Sequence, residues 1–452
     1  ISLWFNQNLT NITALSNITS TQYDKVEVNE NNSLSSLTGL GNINTAAALW
    51  ITNNPLLTTL SPLNGNLNIT GTDPGTLKIF SNPQLAACSF FPVCNYLAIS
   101  PGSAEIHDNA PGCGSITEII ANCGLITCDT KGSKTWTGSV SADWNDAANW
   151  LPNGVPQPCD TVIIPGGINQ SPLLTTSVTI SGITLQPGAT MEMNGFTLTV
   201  LGNTDINNAS ITGQGLVVVR KAHDYIDIEH SNISPSLTIQ DYTCPLTMLY
   251  SSFDNDVVVS DLPARTEVND FGGNTFNQNF SLTVNATDGN AQTYFDDGAD
   301  DNISGDASFT LNQPVYLGIG NDGRLEVGGN FTANNNFPGS LDIGSINFVQ
   351  GQRNDAHIIN LGTEPLSFGT LYTGKFGGTI TLDQDVFIRS NAYFTFGAVH
   401  TTLDHLLIFV NGATISQFSS GSYVVGPVKK IGNQGFRFPV GDGIYQGVIE
   451  IT

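Results

Sequence analysis

Four stretches in the first 127 residues share one pattern: VEVNENNSLSSLTGL at 26–40, LWITNNPLLTTLSPL at 49–63, LKIFSNPQLAACSFF at 77–91 and AEIHDNAPGCGSITEI at 104–119. Each is a short alternating run, then Asn, then a turn, then spaced apolar residues. The asparagines Asn32, Asn54, Asn82 and Asn109 are 22, 28 and 27 residues apart. A unit of that length cannot bury its own apolar face, so successive units must stack into a solenoid. Alternation places Val26 and Val28, Leu49 and Ile51, and Leu77 and Ile79 inward, with one short strand per coil. Leu57 and Leu60 fill the space behind the strand. Asn at the strand end supplies a side chain for backbone groups that the turn leaves open.

From residue 171 the runs shorten and multiply, as in SVTISGITLQPGATMEMNGFTLTVLGNTDINNASITGQGLVVV at 177–219. Alternation puts Ile180, Ile183, Leu185, Met191, Met193, Leu198, Val200, Ile206, Ile211, Val217 and Val219 inward. Runs this short, separated by Gly, Asn or Pro-Gly, suit about three strands per turn of a right-handed parallel β-helix. The PG and NG turns also permit hairpins, which keeps an antiparallel β-sandwich as the alternative. Phe394 and Phe409 point to Phe-on-Phe stacking inside the coil. The fold class expected is therefore an all-β solenoid. Residues 1–127 form a leucine-rich-repeat-like part, 128–170 a linker and Trp-rich cap, and 171–425 a parallel β-helix. Residues 426–452 begin a C-terminal β module or form terminal coils.

Three of the five tryptophans fall in WTGSVSADWNDAANW at 136–150. DTKGSKT before it, at 129–135, reads as a polar linker. Large rings at this density can cover the open end of a coil, which otherwise exposes strand edges and core. A sugar-stacking platform built on Trp144 and Trp150 is the sharper alternative.

The first segment resembles the leucine-rich repeats of bacterial surface proteins and of receptor L-domains, in NNPLLTTL. That resemblance implies a binding scaffold. Trp136-Thr137-Gly138, Asp143-Trp144, Asn149-Trp150, Pro156, Asp160 and Ile164-Pro165 look like the module that opens β-rich repeats in secreted Bacteroidetes proteins. GPVKKIGNQGFRFPVGDG at 426–443 is a second such signature. Both resemblances imply a large cell-surface protein exported by type IX secretion, here represented by a segment lacking a sorting domain. The partners implied are the secretion machinery or outer-membrane surface components, and glycans or surface proteins.

Charge and cysteines narrow the function classes. With 38 acidic and 14 basic residues the formal charge is -24, so nucleic acid is excluded as a partner. No run approaches 18 apolar residues, and no transmembrane segment is expected. Cys88, Cys94, Cys113, Cys123, Cys128 and Cys159 fall within 72 residues without metal-ligand spacing, which reads as a disulfide framework in an exported protein. Closeness alone pairs Cys88 with Cys94 and Cys113 with Cys123. Cys159 could join Cys123 or Cys128.

Two clusters could carry chemistry. Asp296, Asp297, Asp300 and Asp301 in FDDGADDNISGD crowd four carboxylates, which a Ca²⁺ ion would relieve; no other cofactor is expected. In RKAHDYIDIEH at 220–230, Asp227 and Glu229 would share a strand face, as paired carboxylates for glycoside hydrolysis do. No nucleophile elbow, metalloprotease helix or nucleotide fingerprint occurs. The leading expectation is a non-catalytic extracellular surface, adhesion or structural protein. A polysaccharide-active β-helix enzyme (lyase or glycoside hydrolase) and a glycan-binding module stand as alternatives.

Overall fold

The computed structural model describes residues 1–452 apart from 19–24, 44, 61, 64–66, 72–74, 100–103, 124–131, 296–297, 419–420, 443–445 and 452. The chain divides into two compact units, Ile1–Asp129 and Thr130–Thr452. Among the described residues no helix is long and apolar enough to cross a membrane.

In the first unit the strands Ser2–Trp4, Lys25–Asn29, Ala48–Thr52, Leu77–Phe80 and Ala104–His107 form one parallel sheet in chain order. Val26, Val28, Leu49, Ile51, Leu77 and Ile79 are fully buried behind it, with Leu57 and Leu60. Each of the last four strands ends on a left-handed residue: Glu30, Asn53, Ser81 and Asp108 have φ of 55, 57, 55 and 53°. The next residue turns inward and is always Asn. In the first of these coils it is Asn31 and not Asn32, which is exposed. The Asn31 amide N–H donates to Asn54 Oδ1 (3.2 Å), Asn54 to Asn82 (3.0 Å) and Asn82 to Asn109 (3.1 Å). The Nδ2 groups of Asn31, Asn54 and Asn82 each donate to a carbonyl of their own strand and one of the coil before, as Asn54 does to Thr52 and Val28, whereas Asn109 donates to Ile79 O and Cys113 O. The amide stranded at each turn is thus satisfied from the following coil.

Helices Phe91–Ile99 and Ile116–Asn122 and the 3-10 turn Thr13–Leu15 interrupt the β pattern in this unit. Disulfides join Cys88 to Cys113 and Cys94 to Cys123, correcting the pairing expected from closeness. The spacings of 25 and 29 residues are one coil length, so stacking and not sequence proximity brings these thiols together. Cys159 is also disulfide-bonded, which leaves Cys123 out as its partner; Cys128 lies outside the described residues.

The second unit is a parallel β-helix with three faces. Its first face stacks Val178–Ile180, Thr197–Val200, Leu216–Arg220, Ser236–Tyr242, Val257–Asp261, Phe280–Val284, Ala307–Leu311 and Phe331–Asn334. The second runs from Thr161–Ile164 through Gly182–Leu185, Thr204–Asn207, Ile226–Glu229, Leu246–Leu249, Asn269–Gly272 and Thr293–Phe295 to Leu317–Ile319. The third includes Thr190–Glu192, Ser210–Thr212, Asn232–Ile233, Ser252–Phe253, Thr275–Phe276, Asp301–Ile303 and Leu325–Val327. Further on, Leu366–Leu382 and Val386–His400 bend around the corners as single long strands. Antiparallel pairing among the described strands is confined to Ser133–Trp136 with Trp150–Leu151 and Phe436–Gly441 with Gln446–Ile451, so the β-sandwich alternative is set aside.

The inward residues named from alternation are all buried, Ile183 at 4 % exposure being the least so. Aromatic stacking occupies the middle coils: Phe253 lies flat on Phe276 (5.0 Å, 10°), and Phe280, Phe295, Phe309 and Phe331 continue the contact. Phe394 and Phe409 are buried too, though the long ladder lies elsewhere. At the corner after the second face, Asn208, His230, Tyr250 and Gly273 are left-handed, at φ 50, 50, 50 and 71°. Their successors repeat the first unit's device. Ala209 N–H donates to Ser231 Oγ, Ser231 to Ser251 Oγ, Ser251 to Asn274 Oδ1 and Asn274 to Asp301 Oδ1.

The tryptophan segment belongs to this core. Ser133–Trp136 pairs parallel with Thr161–Ile164, so residues 133–135 are strand and not linker. Trp136, Trp144 and Trp150 are buried, and Trp150 meets both others edge to face at 4.9 and 4.7 Å. Buried Asn149 holds the intervening loop, accepting from Val140 and Ser141 N–H and donating to Ser141 Oγ and Asp143 O. At the other end Val428–Lys430 continues the parallel stack on Leu407–Phe409 before the final hairpin.

Replacing a ladder asparagine tests this account. Asn82→Leu keeps the branched outline of the side chain but strands the Asn54 amide. The expected loss is about 2–3 kcal/mol in urea unfolding of the first unit, with faster hydrogen exchange at Asn54. A loss below about 0.5 kcal/mol, the low end for a satisfied hydrogen bond, would contradict the ladder's role.

Candidate functional site

Alternation that buries one side of the first unit's sheet presents the other to solvent. Register aligns Glu27, Trp50, Lys78 and Glu105 in one outward column. Trp4, Asn29, Thr52, Phe80 and His107 align in the next. Residues 1–129 contain only two lysines and no arginine, Lys25 and Lys78, and both converge on Trp50. Their ammonium groups lie 3.6 and 5.1 Å from its ring centroid, close enough for cation–π attraction. The indole N–H donates to Gly75 O (2.7 Å), which fixes the ring.

Carboxylates complete the array. Lys25 pairs with Glu27 at 2.8 Å and Lys78 with Glu105 at 2.9 Å. His107 lies flat on Phe80 at 4.8 Å and 6°, with Nδ1 2.8 Å from Asp108 and Nε2 3.6 Å from Glu105. The Asp108 hydrogen bond, with Glu105 adding to it, raises the His107 pKa above the usual histidine value. The hydrogen bond from Lys78 lowers that of Glu105. Trp4 at the sheet's edge is 49 % exposed. Such a surface offers stacking, charge of both signs and hydrogen bonds.

The residues singled out from sequence fall elsewhere. Trp144 and Trp150 are 0 and 2 % exposed, so neither can stack on a sugar; their rings fill the solenoid's interior. Asp301 is fully buried as the last rung of the interior ladder, and Asp300 pairs with Arg324 at 3.2 Å. Asp296 and Asp297 lie outside the described residues. Among the described residues no group of three or more His, Cys, Asp or Glu side chains is placed to hold a metal ion.

Asp227 and Glu229 do project from one side of the strand Ile226–Glu229. Register sets Asp205 beside Asp227 on the preceding coil and Thr247 on the following one. Burial, and then the neighbouring Asp227 charge, push the Asp205 carboxyl above its ordinary range. The other members of the 220–230 cluster turn to different partners. Arg220 pairs with Asp241, His223 meets Thr243 Oγ1 at 3.0 Å, and His230 stacks on Tyr250 at 5.2 Å. Glu229 has Asn207 and Leu249 as its coil neighbours. Of this cluster, Asp227 is the residue that register sets beside another carboxylate, that of Asp205.

The sheet face of the first unit was legible in principle. The alternation that named the core also names Trp50, Lys78, Phe80 and His107 as outward, where large rings are unusual. Cross-strand neighbours need the register, which the Asn31–Asn54–Asn82–Asn109 ladder sets.

Residues 135–347 match a family model described as a domain of unknown function (DUF8693). That span begins in the strand leading into the tryptophan segment and covers the β-helix through its aromatic ladder. No curated protein and no solved structure matches the chain.

The carboxylate neighbours carry a pH signature. Because the folded pKa of Asp205 is raised, the folded state holds that proton more tightly than the unfolded chain. Stability from this group is present at low pH and falls as pH rises from the ordinary Asp range through the folded pKa. Asp205→Asn should therefore stabilise the second unit at pH 7, by an amount within the ~0.2–1 kcal/mol typical of facing like charges. No gain is expected at pH well below the unfolded Asp value. Melting curves at both pH values test this, and an equal gain at both would refute the assignment.

Proposed function

We propose that this chain is a non-catalytic recognition protein of an exported, oxidising environment. In this reading the aromatic and ionic sheet face of the first unit contacts the ligand, and the β-helix is a rigid carrier. The observation that carries it is the convergence of both lysines of residues 1–129 on Trp50, beside Trp4, Phe80 and His107. Isolated solvent-facing lysines would cost little anywhere, whereas an ordered cation–aromatic–carboxylate array restricts long side chains. The disulfides support an oxidising compartment. Cell-surface display, adhesion to glycans or surface proteins, and type IX export follow the Trp136–Pro165 and 426–443 resemblances and belong to the same proposal.

A polysaccharide-active β-helix is the second reading, favoured by Asp205 beside Asp227. Three arms distinguish the two. The intact chain is applied to glycan and peptide arrays; it is assayed for reducing-end release and unsaturated products on acidic polysaccharides; and Trp4→Ala, Phe80→Ala and Asp227→Asn are run in parallel. The expected outcome is saturable binding without turnover, weakened at least ~30-fold, as for an interface hot spot, by Phe80→Ala and untouched by Asp227→Asn. Turnover abolished by Asp227→Asn would overturn the recognition reading.

A further inference from the structure

At its C-terminal end the first face of the β-helix closes on an antiparallel partner, Gln446–Ile451 lying against Phe436–Gly441. The third face ends at the strand Thr414–Gln417, which pairs with residues 391–393 of the coil before. Among the described residues no strand pairs with its other edge. Such an edge offers backbone N–H and C=O groups as a template for one more strand. A cavity of about 670 Å³ lies along it, with Ser416, Gln417 and Phe418 on one side and Gln434, Phe436 and Arg437 on the other. Its size falls in the range of ligand sites. Ile415 and Phe418 reach the core there yet stay partly exposed, whereas Ala392 and Phe394, one coil earlier, are fully buried.

Charge at this end runs against that of the chain. Residues 413–452 hold Lys429, Lys430 and Arg437 against Asp442 and Glu450, in a protein of formal charge -24. Among the described residues no carboxylate lines the cavity. The Arg437 guanidinium lies 5.2 Å from the Phe418 ring centroid. Its carboxylate partner, Glu450, is 3.9 Å away across the hairpin, and both side chains are 56 % exposed. So loose a pair leaves guanidinium donors for a second carboxylate. Lys430 adds positive charge at the margin, 5.2 Å from the Phe436 ring and donating to Ala413 O at 3.1 Å.

We propose that this edge binds an extended acidic peptide by strand addition. The backbone groups of Thr414–Gln417 select a polypeptide, because another strand matches their spacing of donors and acceptors. Apolar side chains of the peptide cover Ile415 and Phe418. Its carboxylates meet Arg437, which selects an acidic peptide over a basic one. All of these residues belong to the second unit, so the site stands independently of the Trp50 face.

The test is fluorescence anisotropy of a labelled heptapeptide alternating valine and aspartate, titrated with the intact chain. It is compared with its lysine counterpart and with two forms N-methylated at the valines or at the aspartates. In an extended strand these two sets of amides point to opposite edges, so only one form loses the amides that pair. Arg437→Gln is run in parallel, with near-ultraviolet circular dichroism to check that it is folded. The aspartate peptide should bind saturably. One N-methylated form, the lysine peptide and the Arg437→Gln variant should each weaken binding at least ~10-fold, and the other N-methylated form should bind as the parent does. Absence of saturable binding overturns the proposal, including where sedimentation velocity shows a second copy holding the edge. So do equal effects of the two N-methylated forms, equal affinity for the lysine peptide, or an Arg437→Gln variant that binds as the wild type does.

Discussion

A strand that must turn every few residues leaves a backbone N–H at each corner with no partner in its own coil. Buried, such a group costs about 1–3 kcal/mol, and a solenoid repeats the problem once per turn. Both units solve it alike. One left-handed residue breaks the strand, and the next side chain inward accepts the amide of the coil before. Asparagine serves from Asn31 to Asn109, whereas Ser231, Ser251, Asn274 and Asp301 serve in the β-helix. Because each rung is donor to one coil and acceptor from another, the ladder fixes register as well as satisfying polarity.

Register, once fixed, determines the core. Equivalent inward positions lie one strand spacing apart, about 4.8 Å, so whatever occupies one coil must pack on its counterpart in the next. That is why Phe253 and Phe276 stack nearly flat. It also explains how a charged group survives inside: Arg265, fully buried, is met by Asp261 at 2.6 Å and by Ala291 O and Thr293 Oγ1 from the following coil. Loops may lengthen between rungs without disturbing the stack, which accounts for ladder steps of 20, 23 and 27 residues in the β-helix.

The same geometry frees the outward positions. They contribute little to stacking, so composition there can follow function, and columns of like chemistry arise because neighbours in the column are far apart in sequence. The Trp50 column and the Asp205–Asp227 step are two such columns with different chemical capacities.

Sequence alone determined the solenoid architecture, the inward residues of both units and the presence of disulfides, because alternation and repeat length are local properties of the chain. It misplaced one ladder residue by a single position, since Asn31 and Asn32 are adjacent and only the backbone at Glu30 says which turns inward. It read Trp144 and Trp150 as either cap or sugar platform, and burial of both rings removed the platform. It paired cysteines by closeness, whereas Cys88–Cys113 and Cys94–Cys123 each span one coil. It found Asp227 but not Asp205, and neither lysine above Trp50. Those contacts join residues 22 to 28 apart, and coil length varies by several residues from turn to turn. Which side chains meet across coils therefore depends on where each loop closes, and only the tertiary structure decides that.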